Sequence, residues 1–263
     1  MDGIKKVAIV TGGSYGIGKA CAAVLAESGM DIAILSRKRK EGLETIEEIS
    51  KFGTKVTHIE TDVSDKEQVR RSVAQVSDEF HRVDILVNNA GIVTPVKYFF
   101  EQTDEDWDCV IKVNLYGTFY MMKEVVPMMI KQRYGRIVNI SSVLARSGSC
   151  GRANYVASKS GIELLTMTAA MELGEYGITV NVVRPGITLT PLSIARGYDF
   201  SGVAKGIPRQ RIGTPKDVAR IVHFLVQEES DYITGQTFSA DGGIGLCGTG
   251  LMHALAPLKP KGT

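Results

Sequence analysis

Tyr155 and Lys159 stand four residues apart in Asn154-Tyr155-Val156-Ala157-Ser158-Lys159, and Ser142 lies thirteen residues before the tyrosine, just after the apolar run Arg136-Ile137-Val138-Asn139-Ile140. On a helix, this i, i+4 spacing puts phenol and ammonium on one face. The lysine charge then favours the phenolate and brings the tyrosine toward the working range of an acid/base catalyst. A serine hydroxyl leaving a strand end nearby can hold a substrate carbonyl. Taken alone, Tyr and Lys at this spacing more often just decorate a helix surface, so the elements that position the pair must decide.

The first of these elements is near the N-terminus. Lys6–Thr11 reads as a buried strand, Gly12-Gly13-Ser14-Tyr15-Gly16-Ile17-Gly18 as a turn, and Lys19–Ser28 as a helix. Glycines permit a tight turn and close backbone approach, while free N–H groups and the dipole at the helix start favour a pyrophosphate. The alternative is a glycine-rich β-to-α turn that binds nothing. A dinucleotide site of this kind expects an acidic residue about 20 residues on, gripping the ribose hydroxyls. Here the second strand, Asp31–Leu35, ends in Ser36-Arg37-Lys38-Arg39-Lys40. No carboxylate in that run repels a 2′-phosphate, and Arg37 offers the planar donor fork that suits one, with Lys38 and Arg39 in support. NADP(H) is therefore expected in preference to NAD(H), unless the basic run is merely a solvated helix start.

A chain of 263 residues, 44% hydrophobic and 23% charged, is globular and large enough for one sizeable core. No run of eighteen or more apolar residues occurs, and Met1–Lys6 leads into the first strand without a signal-peptide core, so a soluble cytoplasmic protein is expected. A net charge of +2 with dispersed basic residues points to neither a nucleic-acid nor a membrane partner. Cys21, Cys109, Cys150 and Cys247 lack metal-ligand or redox spacing and are expected as free thiols, and the four histidines are too scattered to propose a metal.

Further strand-like runs fall at Lys55–Thr61, Val83–Val87, Arg136–Ser141 and Ile178–Val182, with helix starts near Gly16, Lys40 and Asp65. Alternation of this kind implies a parallel sheet covered by helices on both faces. Long helical patterns run from about Asp104 to Ile130 and from Asn154 to Tyr176, and Met121, Met122, Met128 and Met129 are expected as core or subunit-contact packing.

Together these residues resemble the short-chain dehydrogenase/reductase superfamily from Lys6 to about Gly243. The motifs occur in family order: Thr11–Gly18, Asp62-Val63, Asn88-Asn89-Ala90-Gly91, Asn114, Ser142, Tyr155 with Lys159, and Pro185-Gly186. The resemblance implies a single α/β domain over 1–243, doubly wound in the Rossmann manner, with seven parallel strands. It implies a carbonyl reductase or secondary-alcohol dehydrogenase in which Tyr155 exchanges the proton, Lys159 tunes it and binds the nicotinamide ribose, Ser142 fixes the carbonyl and Asn114 organises a relay water. Asn114 has the alternative role of stabilising a helix kink. Gly12, Ser14, Tyr15, Gly16, Ile17, Gly18 and Arg37 would hold the dinucleotide, and Asp62 and Val63 the adenine. Asn89, Ala90 and Gly91 would line the channel, and Pro185, Gly186 and Thr188 would meet the nicotinamide. Asn88 could be purely structural. Between Ser141 and Ser142, the interval to Tyr155 favours Ser142.

The segment from about 190 to 211, broken by Pro and Gly, is a candidate lid. Val143, Leu144, Arg146, Cys150, Arg152, Ile187, Leu192, Tyr198 and Phe200 are candidate walls for a small carbonyl or alcohol substrate, with the arginines open to an anionic carrier. The stretches Gly213–Val218, Tyr232–Gln236 and Asp241-Gly242-Gly243 resemble the β-ketoacyl carrier-protein reductase type. The resemblance also implies a homotetramer, and residues 244–263, with Leu251, Met252, Leu255 and Leu258, are expected at a subunit contact. Two other readings stay open: a non-catalytic dinucleotide sensor on the same fold, and an NAD-dependent alcohol dehydrogenase.

Overall fold

The computed structural model describes residues 5–194 and 200–247. Seven strands form one parallel sheet: β1 (Val7–Thr11), β2 (Asp31–Ser36), β3 (Val56–Glu60), β4 (Ile85–Asn88), β5 (Gly135–Ile140), β6 (Ile178–Pro185) and β7 (Thr237–Ala240). Their order is β3-β2-β1-β4-β5-β6-β7. The helices are α1 (Gly16–Glu27), α2 (Arg39–Ser50), α3 (Lys66–Phe80), α4 (Asp104–Ile111), α5 (Gly117–Gln132), α6 (Leu144–Ser147), α7 (Ala153–Leu173), α8 (Pro191–Ile194), α9 (Phe200–Lys205) and α10 (Pro215–Leu225).

Central strands buried on both sides need apolar residues at successive positions, as in Val7-Ala8-Ile9-Val10. Their alternation divides the core. Val7 and Ile9 face a cluster with Val69 and Val73 of α3, Met121, Val125 and Met129 of α5, and Leu173 of α7. Ala8 and Val10 face the other layer, with Cys21 and Leu25 of α1 and Val218, Val222 and Leu225 of α10. Met121, Met122 and Met129 are thus core residues, with Met128 packed against them. Strand β7, at the sheet edge, is only half-buried, which is why no continuous apolar run announces it.

The expected long helix from Asp104 to Ile130 is interrupted. Between α4 and α5, residues Lys112–Tyr116 widen into a π-turn centred on Asn114. Such a turn is uncommon and is often found at functional sites. Asp65 caps α3, its carboxylate accepting from the amides of Glu67 and Gln68. At α10, Thr214 and Asp217 form a reciprocal capping box around Pro215, and Asp217 also takes a bidentate ion pair from Arg211. The Gly213–Val218 motif is therefore a helix start. Among the described residues, no helix is long and apolar enough to cross a membrane.

Candidate active site

Strand order reverses between β1 and β4, and a crevice opens beyond the carboxyl ends of strands at such a switch point. Thr11 closes β1 there. Its hydroxyl oxygen accepts from the amides of Asn89 and Ala90, each at 3.0 Å, while Asn89 Nδ2 donates to the carbonyls of Thr11 and Gly12. The glycine turn is thereby laced to the loop after β4. Helix α1 approaches this lacing so closely that a Cβ on Gly18 would lie 2.3 Å from the Gly12 carbonyl oxygen. Gly12 and Gly16 adopt φ of +61° and +58°, the left-handed region that favours glycine.

Two cavities meet along Gly12, Tyr15, Ala90 and Gly91. The larger, about 220 Å³, is also bordered by Gly16 and Ile17, by Asn89, by Ser142, Tyr155 and Lys159, and by Pro185, Gly186 and Thr188. The smaller, about 70 Å³, is also bordered by Ser14, Ser36, Arg37, Lys38, Asp62 and Val63.

Helix α7 carries Tyr155 and Lys159 on one side, with the ammonium nitrogen 5.8 Å from the centre of the phenol ring. Lys159 is buried and donates to the Ile140 carbonyl at 2.8 Å. Burial pulls its pKa down from the ordinary lysine value to about 8, because a charged group loses hydration there. The two serines, which both border the larger cavity, differ in their partners: the Ser141 hydroxyl lies 2.7 Å from Glu163 Oε1 and 3.2 Å from the Lys159 carbonyl, both acceptors on α7. Ser142 Oγ instead accepts from the Leu144 amide at 3.2 Å, which leaves its hydrogen uncommitted by that bond. Glu163 in turn holds a bidentate, largely buried ion pair with Arg184 on β6.

Asn114 is fully buried beneath this floor. Its Oδ1 accepts from the Ile92 amide, and its Nδ2 donates to the Ile92 carbonyl and to Ser158 Oγ. A Cβ on Gly91 would lie 3.3 Å from Asn114 Oδ1 and 3.5 Å from Lys159 Nζ, so glycine keeps open the space between amide and ammonium. Asn88 Nδ2 donates to Asn139 Oδ1 on β5, a purely structural bond.

A family model described as enoyl-(acyl carrier protein) reductase matches residues 12–245. The 3-oxoacyl-[acyl-carrier-protein] reductase FabG of Staphylococcus epidermidis is 40% identical over 243 residues, covering 92% of this chain and 99% of the relative. The FabG of Thermotoga maritima is 41% identical over 241 residues, covering 91% and 97%. The chain belongs to the short-chain dehydrogenase/reductase family. Among solved structures, levodione reductase matches with a TM-score of 0.89 at 28% identity, covering 92% of this chain and 98% of that one. An actinorhodin polyketide ketoreductase variant solved with NADPH matches at 0.88 and 32%, covering 92% and 97%. The protein is a short-chain oxidoreductase with the seven-stranded sheet of that family.

Every residue expected at this short-chain dehydrogenase/reductase site borders one of the two cavities, except Gly18 and Asn114, which lie just behind them. The candidate substrate wall fares worse. Of its described members only Leu192 borders the larger cavity. Val143, Leu144 and Ile187 pack with Val203, Ile207, Ile212 and Ile244 in a small apolar cluster between α6 and the lid segment. Arg146 is exposed and borders neither cavity, and Arg152 is buried at the foot of α7. Tyr198 falls outside the described residues, as do 248–263 of the C-terminal extension; Ile244, where that extension begins, is buried.

Sequence reasoning missed Ile92, Val93 and Thr190 around the larger cavity and Ser36 and Thr61 around the smaller. It also missed how a carboxylate it named is paired. Asp62 Oδ2 approaches Arg37 to 3.6 Å, so the acidic group absent from the end of β2 arrives from the end of β3. Only the neighbouring position of Ser36 beside Arg37 was a signal available in the chain.

Proposed function

We propose that the protein is an NADP(H)-dependent reductase of β-ketoacyl thioesters, with Tyr155 as the proton donor. The observation that carries this reading is the meeting of Ser142, Tyr155 and Lys159 in one cavity that continues, past the glycine turn, into a second bordered by Arg37 and Lys38.

The residues fit a nicotinamide dinucleotide. Ser14 Oγ is buried beside Arg37 and Lys38 without a hydrogen-bond partner, an orphan that a phosphate oxygen would satisfy. The Arg37–Asp62 pair does not forbid a 2′-phosphate, because the Arg37 side chain is 61% exposed and such pairs contribute little and open readily. Lys38 Nζ sits 5.0 Å from the centre of the Tyr15 ring, adding a second cation at the rim. Tyr15, Gly16 and Ile17 would receive the pyrophosphate at the start of α1, and Asp62 and Val63 the adenine. Asn89, Gly91, Pro185, Gly186 and Thr188 would flank the nicotinamide. When bound, the cofactor supplies the hydride.

The chain's own part is proton chemistry and orientation. The Ser142 hydroxyl and the Tyr155 phenol would both donate to one carbonyl oxygen, fixing the face presented. Tyr155 would give up its proton as charge develops on that oxygen. Lys159, titrating near about 8, is mostly cationic at neutral pH and steadies the phenolate left behind. Asn114 acts mainly by holding the Ile92 loop against α7, and a proton path out of Lys159 would pass between Gly91 and its Oδ1. The intact set of four groups supports catalysis over sensing, since cofactor binding alone makes no use of a serine aimed at a substrate oxygen.

The substrate class rests on the acyl-carrier-protein reductases the chain is similar to. A carrier-borne thioester, rather than a free small molecule, is accordingly proposed. Homotetramer formation is supported by Leu164, Met167 and Met171, an exposed apolar stripe on α7.

Turnover of NADPH against a β-ketoacyl thioester, its enoyl counterpart and a simple cyclic ketone tests the reading. Preference for the ketoacyl compound supports it. Reduction of only the enoyl compound would move the chemistry from carbonyl to carbon–carbon double bond, and cofactor binding with no turnover of any carbonyl would favour the sensor.

A further inference from the structure

The smaller cavity has a second layer. Ser36, the last residue of β2, borders it and is buried, and its Oγ lies 2.9 Å from Nε2 of His58 on β3. The ring reaches this position only because α2 carries Gly42 beside it: a Cβ there would lie 2.2 Å from His58 Cδ2 and 2.5 Å from Nε2. Glycine is disfavoured inside helices, so its presence at a buried position of α2 has a packing reason, and that reason is the imidazole.

The hydroxyl of Ser36 has one hydrogen, and His58 decides where it points. If Nε2 is unprotonated, Ser36 donates to it and turns only lone pairs to the cavity, which repel a phosphate. If Nε2 carries the hydrogen, it donates to Ser36 Oγ and frees the hydroxyl hydrogen to point outward. The other acceptor within reach, the Lys38 carbonyl, is 3.5 Å away and a poor competitor.

We propose that His58 is a positioning residue for coenzyme choice: its Nε2–H holds the Ser36 hydroxyl so that it donates to a 2′-phosphate taken by Arg37. Burial, above all, holds the ring below the ordinary histidine range; Arg39 acts in the same direction, while Glu60 and a hydrogen bond with the Ser36 backbone oppose it. The ring is thus uncharged at neutral pH, and its contribution is a directed hydrogen rather than a positive charge. The inference rests on the NADP(H) reading above.

The test is calorimetric binding of adenosine 2′,5′-bisphosphate and adenosine 5′-monophosphate to the full-length protein, which needs no turnover. Wild type binds the bisphosphate more tightly. His58→Leu and Ser36→Ala each reduce that preference about tenfold, the scale of one hydrogen bond to a charged group. The double variant loses no more than either alone, and His58→Gln, which keeps a donor near the Nε2 position, retains most of the preference. If His58→Leu leaves the preference intact, or the two losses add, the role of His58 is overturned while Arg37→Ala still removes the preference. If wild type has no preference for the bisphosphate, the NADP(H) reading itself fails, and this inference with it.

Discussion

Lys159 Nζ donates to the carbonyl of Ile140 at 2.8 Å, so the cation of α7 is fastened to the strand that delivers Ser142 two residues later. One hydrogen bond therefore sets the spacing between the group proposed to tune the tyrosine and the group proposed to hold the substrate oxygen. The same burial that makes the bond possible removes hydration from the ammonium and lowers its pKa to about 8.

That shift has a consequence for stability. Between about pH 8 and the ordinary lysine value of 10.5, the unfolded chain holds a proton on Lys159 that the native protein has lost. Stability from this group therefore rises with pH across that window and is flat below it. Lys159→Met lacks the slope. Urea unfolding of both proteins from pH 7 to 10 should give a stability difference that favours the variant most at pH 7 and shrinks as pH rises. A difference independent of pH would contradict the assignment.

The two adjacent serines should behave oppositely. Ser142→Ala removes the proposed donor to the reacting oxygen and is expected to lower kcat/KM by about 10²–10³-fold with little change in melting temperature. Ser141→Ala removes a buried hydrogen bond to the Glu163–Arg184 pair, so it should lower stability by roughly 1 kcal/mol and leave kcat/KM within about tenfold. Steady-state kinetics and thermal melts of both variants check the contrast.

Gly18 bears on cofactor binding through packing alone. A Cβ there meets the Gly12 carbonyl at 2.3 Å and Asn89 Nδ2 at 2.4 Å, which forces α1 away from the turn. Gly18→Ala should weaken NADP⁺ binding by at least about tenfold and destabilise the protein by ~1–3 kcal/mol, the usual scale of overpacking. Fluorescence titration and denaturation measure the two effects.

The exposed stripe of α7 predicts assembly. Met171, 78% exposed, replaced by Glu should shift the protein to a smaller oligomer in light scattering, because a charge within the proposed apolar contact is costly to desolvate. An unchanged mass would remove α7 from the interface.

The fold and the site differed in how legible they were. Buried central strands such as β1 show themselves as unbroken apolar runs, and the glycine turn, Asn89-Ala90-Gly91 and Tyr155-Lys159 occupy fixed steps along such elements. Their convergence follows once the strand order does. Strand β7 was hidden because an edge strand is half solvated and carries no such run. The break at Asn114 was legible only as an alternative role for that residue, a helix kink, because the helices on either side of the π-turn each keep their apolar period. Relations between strands were the least visible: that Asp62 would face Arg37, or that the Ser141 hydroxyl would be engaged by Glu163 while that of Ser142 is not, depends on side-chain direction in three dimensions. The substrate wall diverged for the same reason, since Val143 and Leu144 follow Ser142 in sequence and Ile187 follows Pro185-Gly186, yet all three pack with Val203, Ile207 and Ile212 of the lid side rather than bordering the cavity.

The most direct test of the account is NADPH consumption with a β-ketoacyl thioester by wild type and by Tyr155→Phe, with NADPH affinity measured on both. The account predicts rapid, NADPH-preferring turnover in wild type, a fall in kcat of about 10²–10⁴-fold in the variant, and nearly unchanged cofactor affinity. Turnover that survives the loss of the phenol would contradict it.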